Sequence, residues 1–291
     1  MKRIISVILV CLFTLSLCAC GSNPVQEVEK QIEDLVNSPY SEKAAKLDDV
    51  LSSYNALDDK QKEKVENRDQ LKQTQLYVLA QSAYNNINTA YEIIEVMGSD
   101  IYEAWRIGVF NSKEVKRGKF SYLASTLSLS EKELIEGAKY YVASLHDQMA
   151  WETLSKDQKA RYDENVESVF YLLDDVFSAC VLVTSNAYVE NGKTKQVEDL
   201  LTSAKAQMKE MSQKYSDYEH YSNLKEYFTS VSAFFDFCKS PKGSYEQAIE
   251  ASINKGTHVG QPAFSVLFAL LSLTGDSPPA SKRTKIPRKS K

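Results

Sequence analysis

Glycine and proline are scarce, with 10 and 7 in a chain of 291 residues, against average usage of ~7% and ~5%. Sandwiches, barrels and doubly wound sheets turn often and need those residues at their turns. Helices joined by short polar loops do not. Histidine is scarcer still, at His146, His220 and His258. None stands in a His-Glu-x-x-His arrangement, so a zincin-type site is absent. Asp217 and His220 are three apart and share a helix face, but a di-iron bundle needs two Glu-x-x-His pairs and two more carboxylates. The chain has no Gly-x-Ser-x-Gly elbow and no Gly-rich phosphate loop. No excess of basic charge exists either: the formal net charge is -4, which argues against a general nucleic-acid binder. The motifs therefore name no cofactor, no metal ligand and no catalytic residue. Acid pairs such as Asp58-Asp59 and Asp174-Asp175 read as solvated faces or first-turn acids near helix N-termini.

The N-terminus is more specific. Lys2-Arg3 precedes an apolar run from Ile4 to Leu17, then Leu17-Cys18-Ala19-Cys20, then Gly21-Ser22-Asn23. This is the order of a secretory signal, with a basic start, an apolar stretch and small residues at the cleavage point. The apolar run is short for a bilayer span, which needs ~20 residues; an uncleaved anchor over residues 4–19 is the alternative. A cysteine directly after the cleavage point resembles the lipobox of bacterial lipoproteins. That resemblance implies that residues 1–19 are removed, that the Cys20 thiol carries a diacylglyceryl group, and that residues 20–24 form anchor and short tether. It also implies a membrane partner through Cys20 and a place on the outer face of the cytoplasmic membrane. Losing Lys2 and Arg3 takes the charge from -4 to -6. Cys180 and Cys238 are then the only other thiols, and both sit in apolar stretches. They read as small buried hydrophobes, with a disulfide between them as the alternative.

Helical periodicity recurs along most of the chain, and strand-like alternation is hard to find. The expected fold is an all-α, multi-helix bundle with a small N-terminal three-helix unit over 25–75 and a larger helical domain over 76–275. Val25, Val28, Ile32 and Leu35 form one stripe, broken at Asn37-Ser38-Pro39. Ser41 is the expected N-cap of a second helix carrying Leu47, Val50, Leu51 and Tyr54. Asp58 with Gln61 reads as a capping box for a third helix ending near Asn67. Residues 25–75 resemble a three-helix segment that recurs in surface proteins of Gram-positive bacteria. The likeness rests on Ser41, Tyr54-Asn55-Ala56-Leu57, Gln61-Lys62, Val65, Asn67 and Leu71, and implies a spacer or adhesive module.

A long helix is expected from Gln70 to Met97. It carries Tyr77, Tyr84 and Tyr91 at seven-residue spacing as a packed seam rather than a ligand platform, with Gln81, Asn85, Asn88 and Glu92 elsewhere on the surface. Gly98-Ser99 is expected to close it, with Ser99 capping a further helix through Ile101, Tyr102, Trp105 and Ile107. Capping boxes at Ser130/Glu133 and Ser155/Gln158 open two more helices, the second running to about Tyr188 and stopped by Asn191-Gly192. Helices at about 194–213 and 218–238 follow. Ser244 is expected to cap a short one, and the apolar stretch Pro262–Thr274 to form the last.

Residues 276–291 change character. Lys282, Arg283, Lys285, Arg288, Lys289 and Lys291 stand in a segment with almost nothing to bury, which reads as a disordered basic tail. Such cations are attracted to anionic lipid or wall polymer; a solubilising tail without a partner is the alternative. The functional expectation is a non-enzymatic, lipid-anchored surface protein that binds an envelope protein or an external macromolecule. A cell-envelope hydrolase with an unrecognised site, or a phage- or plasmid-borne exclusion lipoprotein, are the competing readings.

Overall fold

Asn23 starts the fold: its side-chain oxygen accepts a hydrogen bond from the Val25 N–H at 3.1 Å, and Pro24 fills the first helical position, where no N–H is needed. The computed structural model describes residues 23–146, 154–166, 176–216, 218 and 220–241. Among them every regular element is a helix, as the sparse glycine and proline led us to expect. The signal segment with Cys20, the helix expected from Ser244, the stretch 262–274 and the basic tail lie outside the described residues.

Contacts divide the chain into two compact units between Val78 and Leu79. The first holds α1 (Pro24–Asn37), α2 (Tyr40–Asn55), α3 (Asp59–Lys64) and the start of α4 (Arg68–Phe110). Val25, Val28, Ile32 and Leu35 of α1 face one core with Leu47, Val50, Leu57, Val65 and Leu71. The period that made α1 legible is thus the period it buries. α2 begins two residues earlier than expected, with Pro39 rather than Ser41 at its N-cap. The Pro39 carbonyl already accepts from the N–H groups of Glu42 and Lys43, and proline's preset φ suits the entry, so Ser41 falls inside the first turn. The box at Asp58/Gln61 forms in both directions. α3 stops three residues short of Asn67 because Val65 turns extended and buries itself. The Glu29 side chain then accepts the Glu66 N–H at 2.9 Å, and the Glu29 carbonyl accepts the Asn67 amide at 2.8 Å. These bonds tie α1 to the start of α4.

The second unit contains most of α4, then α5 (Ser112–Ala124), α6 (Glu131–His146), α7 (Lys156–Asn165), α8 (Val176–Glu190), α9 (Lys193–Lys214) and α10 (Tyr221–Lys239). α4 runs unbroken through Gly98-Ser99, against expectation. A Cβ at Gly98 would stand 2.5 Å from the Phe234 ring, so this glycine permits a close approach and does not end a helix. The boxes at Ser130/Glu133 and Ser155/Gln158 form, and Gly192 adopts φ 79 where the chain turns from α8 into α9. The single helix expected from 155 to 188 is described as α7 and α8, with 167–175 outside the described residues. α8 is the inner helix. Nine of its 15 residues are buried, it packs most broadly on α6, and it also meets α5 and α9. Two glycines let it in: a Cβ at Gly137 would stand 2.4 Å from the Val183 carbonyl oxygen, and one at Gly108 2.6 Å from the Phe177 Cα.

Candidate functional site

A carboxylate on the apolar face of α4 anchors the most unusual polar group of the second unit. Met97, Ile101 and Ala104 are buried, and Asp100 sits among them at 4% exposure. Burying an unpaired charge is costly, so the group must find partners. The Ser128 N–H donates to both Asp100 oxygens, at 2.9 and 3.1 Å. The buried Tyr188 hydroxyl of α8 donates to Oδ2 at 2.7 Å. Three segments therefore meet on one carboxylate: α4, the turn before α6, and α8.

Burial pushes the Asp100 carboxyl up from the usual range, against the hydrogen bonds from Tyr188 and Ser128 that pull it down, with Glu103 adding to the rise. Burial and the neighbouring Asp100 push the Tyr188 phenol far above its ordinary value, so it remains a donor. Glu133 behaves oppositely. The Ser130 hydroxyl and N–H and the Asn191 amide all donate to it, and these bonds hold its carboxyl below the usual range. Carboxylates pushed apart in this way resemble the acid and base of a hydrolase. Asp100 lacks the other requirement, because its oxygens are enclosed and already bonded. What this arrangement does chemically is clasp helices.

A second polar seam lies along α4. Asn86 donates to the Gln207 oxygen at 3.1 Å, and the Gln207 amide donates to Ser82 at 2.6 Å. The buried Tyr227 hydroxyl donates to Asn88 at 3.2 Å, and its ring lies 5.8 Å from that of Tyr84. Burial raises the phenols of Tyr84, Tyr91 and Tyr227. Tyr84 and Tyr91 are half-buried, as a packed seam requires. Tyr77, in the first unit, meets the Tyr40 ring edge-on. Asn88 is not simply a surface residue, since it receives the Tyr227 hydroxyl.

No family model, curated protein or solved structure matches this chain. The chemistry must be judged from its own residues. Cys180 and Cys238 are buried and form no disulfide, and the Cys238 thiol donates to the Ile94 carbonyl at 4.0 Å. The Cys238 carbonyl accepts the Ser185 hydroxyl at 3.0 Å. His220 stands half-buried at the start of α10 with its ring 5.7 Å from that of Tyr218; Asp217 and His258 are outside the described residues. Among the described residues no group of three or more histidine, cysteine or acidic side chains could hold a metal. No described helix is long and apolar enough to cross a membrane. Among the described residues, one open cleft of about 480 Å³ lies beside Gly192, Lys195 and Asp199, and another of about 370 Å³ beside Glu33, Asn37 and Asn67. Cys20 and the six tail cations from Lys282 to Lys291 lie outside the described residues. Sequence reasoning missed Asp100. Its signal was present, as an acid on the buried stripe Met97–Ile101–Ala104, but its partner Tyr188 is 88 positions away.

Proposed function

We propose that this chain is a lipid-anchored surface protein, held by Cys20 on the outer face of the cytoplasmic membrane, whose helical body binds another macromolecule without catalysing a reaction. The observation that carries the reading is the join between lipobox and fold. Asn23 caps α1 and Pro24 is already helical, so three residues, Gly21, Ser22 and Asn23, and four Cα steps separate Cys20 from Pro24. An extended chain of that length reaches roughly 14 Å, which keeps the body against the lipid surface. Support also comes from the titratable groups. Among the groups shifted by burial, Asp100, Tyr188 and Tyr227 are bonded to other helices, so their chemistry serves assembly.

The tail from residue 276 onward adds a salt-sensitive contact with anionic lipid or wall polymer, since exposed charges are screened beyond ~8 Å at physiological ionic strength. Deleting residues 276–291 leaves the helical signal intact and weakens binding to anionic vesicles at low salt. Equal binding by both forms removes the tail from the account. Turnover of wall fragments by the purified protein replaces the binding reading with the hydrolase.

A further inference from the structure

One buried polar atom of the first unit has no partner among the described residues. Asn67 stands between α3 and α4, and its side-chain N–H donates to the Glu29 carbonyl at 2.8 Å. Its Oδ1 is buried and receives no donor. A buried acceptor left unpaired is costly. Asn67 also lines the open cleft of about 370 Å³, together with Glu33, Val36, Asn37 and Gln70. The amide nitrogen is already committed to α1, so a donor for Oδ1 has to come by way of that cleft.

The rest of the lining asks for the same chemistry. Glu33 is exposed and takes no part in the ion pairs Glu42–Lys46 and Asp69–Lys72 of the same unit. Asn37 and Gln70 each carry an amide oxygen. Among the described residues that line the cleft none is basic. The last turn of α1, which supplies Val36 and Asn37, has no cation to offset the partial negative charge of a helix C-terminus. Residues 24–78 as a whole hold twelve acidic and eight basic side chains. Charge and hydrogen bonding therefore agree on a cation with several N–H donors.

We infer that this cleft receives the guanidinium of an arginine side chain presented by a partner polypeptide. Guanidinium carries its N–H donors in a flat fork. Two of them pair side by side with the Glu33 carboxylate. Others serve the oxygens of Asn67, Asn37 and Gln70, while Val36 meets the apolar stem. A lysine ammonium has fewer donors and is more strongly hydrated, so it loses more on entering. Free arginine brings an α-carboxylate, for which the described lining offers no cation. An arginine within a polypeptide has none. The inference gives a chemistry to the partner of the binding reading above, and rests on that reading for the source of the arginine.

The full chain in detergent micelles, with isotope-labelled asparagine and glutamine, tests this by NMR against an arginine blocked as its acetyl methylamide. The side-chain amide signals of Asn67 and Gln70, identified by their loss in Asn67→Asp and Gln70→Glu, shift on titration. Glu33→Gln, at an exposed position that leaves the fold intact, weakens binding about tenfold. The blocked lysine and free arginine need concentrations roughly tenfold higher for the same shift. No shift at Asn67 and Gln70, or equal binding by the wild type and Glu33→Gln, overturns the inference. Equal binding of the blocked lysine overturns the guanidinium assignment, and equal binding of free arginine overturns the polypeptide source. Cleavage of the bound probe is a different failure: it removes the non-catalytic reading and leaves the assignment of the cleft standing.

Discussion

Residues 24–78 close around nine aliphatic side chains, whereas the residues from Leu79 onward close around aromatic rings, close glycine contacts and a buried carboxylate. In the first unit α1 and α2 are amphipathic, and turning the apolar stripe inward suffices to orient each. Its long-range polar bonds, from Glu66 and Asn67 to Glu29, lie at the edge. In the second unit α8 is buried on most of its surface, so hydrophobicity alone leaves its rotation open. The contacts at Gly137 and Gly108 and the Tyr188–Asp100 bond select one rotation. The lesson is that a helix without a polar face is positioned by shape and by single polar bonds.

The largest expected effect lies at Gly137. Gly137→Ala places a Cβ against the backbone of Val183 and Ala187, which cannot move aside as a side chain can, and should cost about 3 kcal/mol in urea unfolding. Gly98→Ala meets only the tip of the Phe234 ring and should cost about 1 kcal/mol. Equal losses at the two sites would break the distinction between backbone and side-chain neighbours. Ile32→Ala empties a fully buried position of the first unit and should cost about 3 kcal/mol. Both tryptophans belong to the second unit. Helicity should therefore be lost in this variant before the tryptophan emission changes, and a single joint transition would merge the two units.

Intermediate effects centre on the clasp. Tyr188→Phe leaves a buried acceptor short of one donor and should cost about 2 kcal/mol. Asp100 gives the pH dependence. Its carboxyl is raised in the folded protein, so the folded state binds the proton more tightly than the unfolded state. The stabilisation from that proton is full below the unfolded carboxylate value of ~3.9 and is lost as pH rises through the raised folded value. Asp100→Asn should flatten this slope, gaining on the wild type as pH rises from about 4 to 7. Parallel curves would show that the carboxylate is not desolvated. The smallest effect is expected at Lys119→Gly, where glycine accepts the positive φ without penalty; it should stabilise by about 1 kcal/mol in thermal unfolding.

What could be read from the sequence follows the same division. The stripe Val25–Leu35, the three capping boxes and the tyrosine seam were visible because each depends on residues within two turns of one another. Pro39 displaced Ser41 because a preset backbone and a free carbonyl started α2 two residues sooner. Gly98 misled because glycine stops a helix or admits a neighbour, and only the arrival of Phe234, 136 positions later, decides which. The Asp100 clasp was hidden for the same reason.

The central claim is the anchor, and mass measurement of the protein extracted from membranes tests it most directly. The account predicts a chain that begins at Cys20 and carries a diacylglyceryl group, absent from the Cys20→Ala variant, which is no longer retained with the membrane. An unmodified chain still beginning at Met1, or undiminished retention of Cys20→Ala, would contradict it.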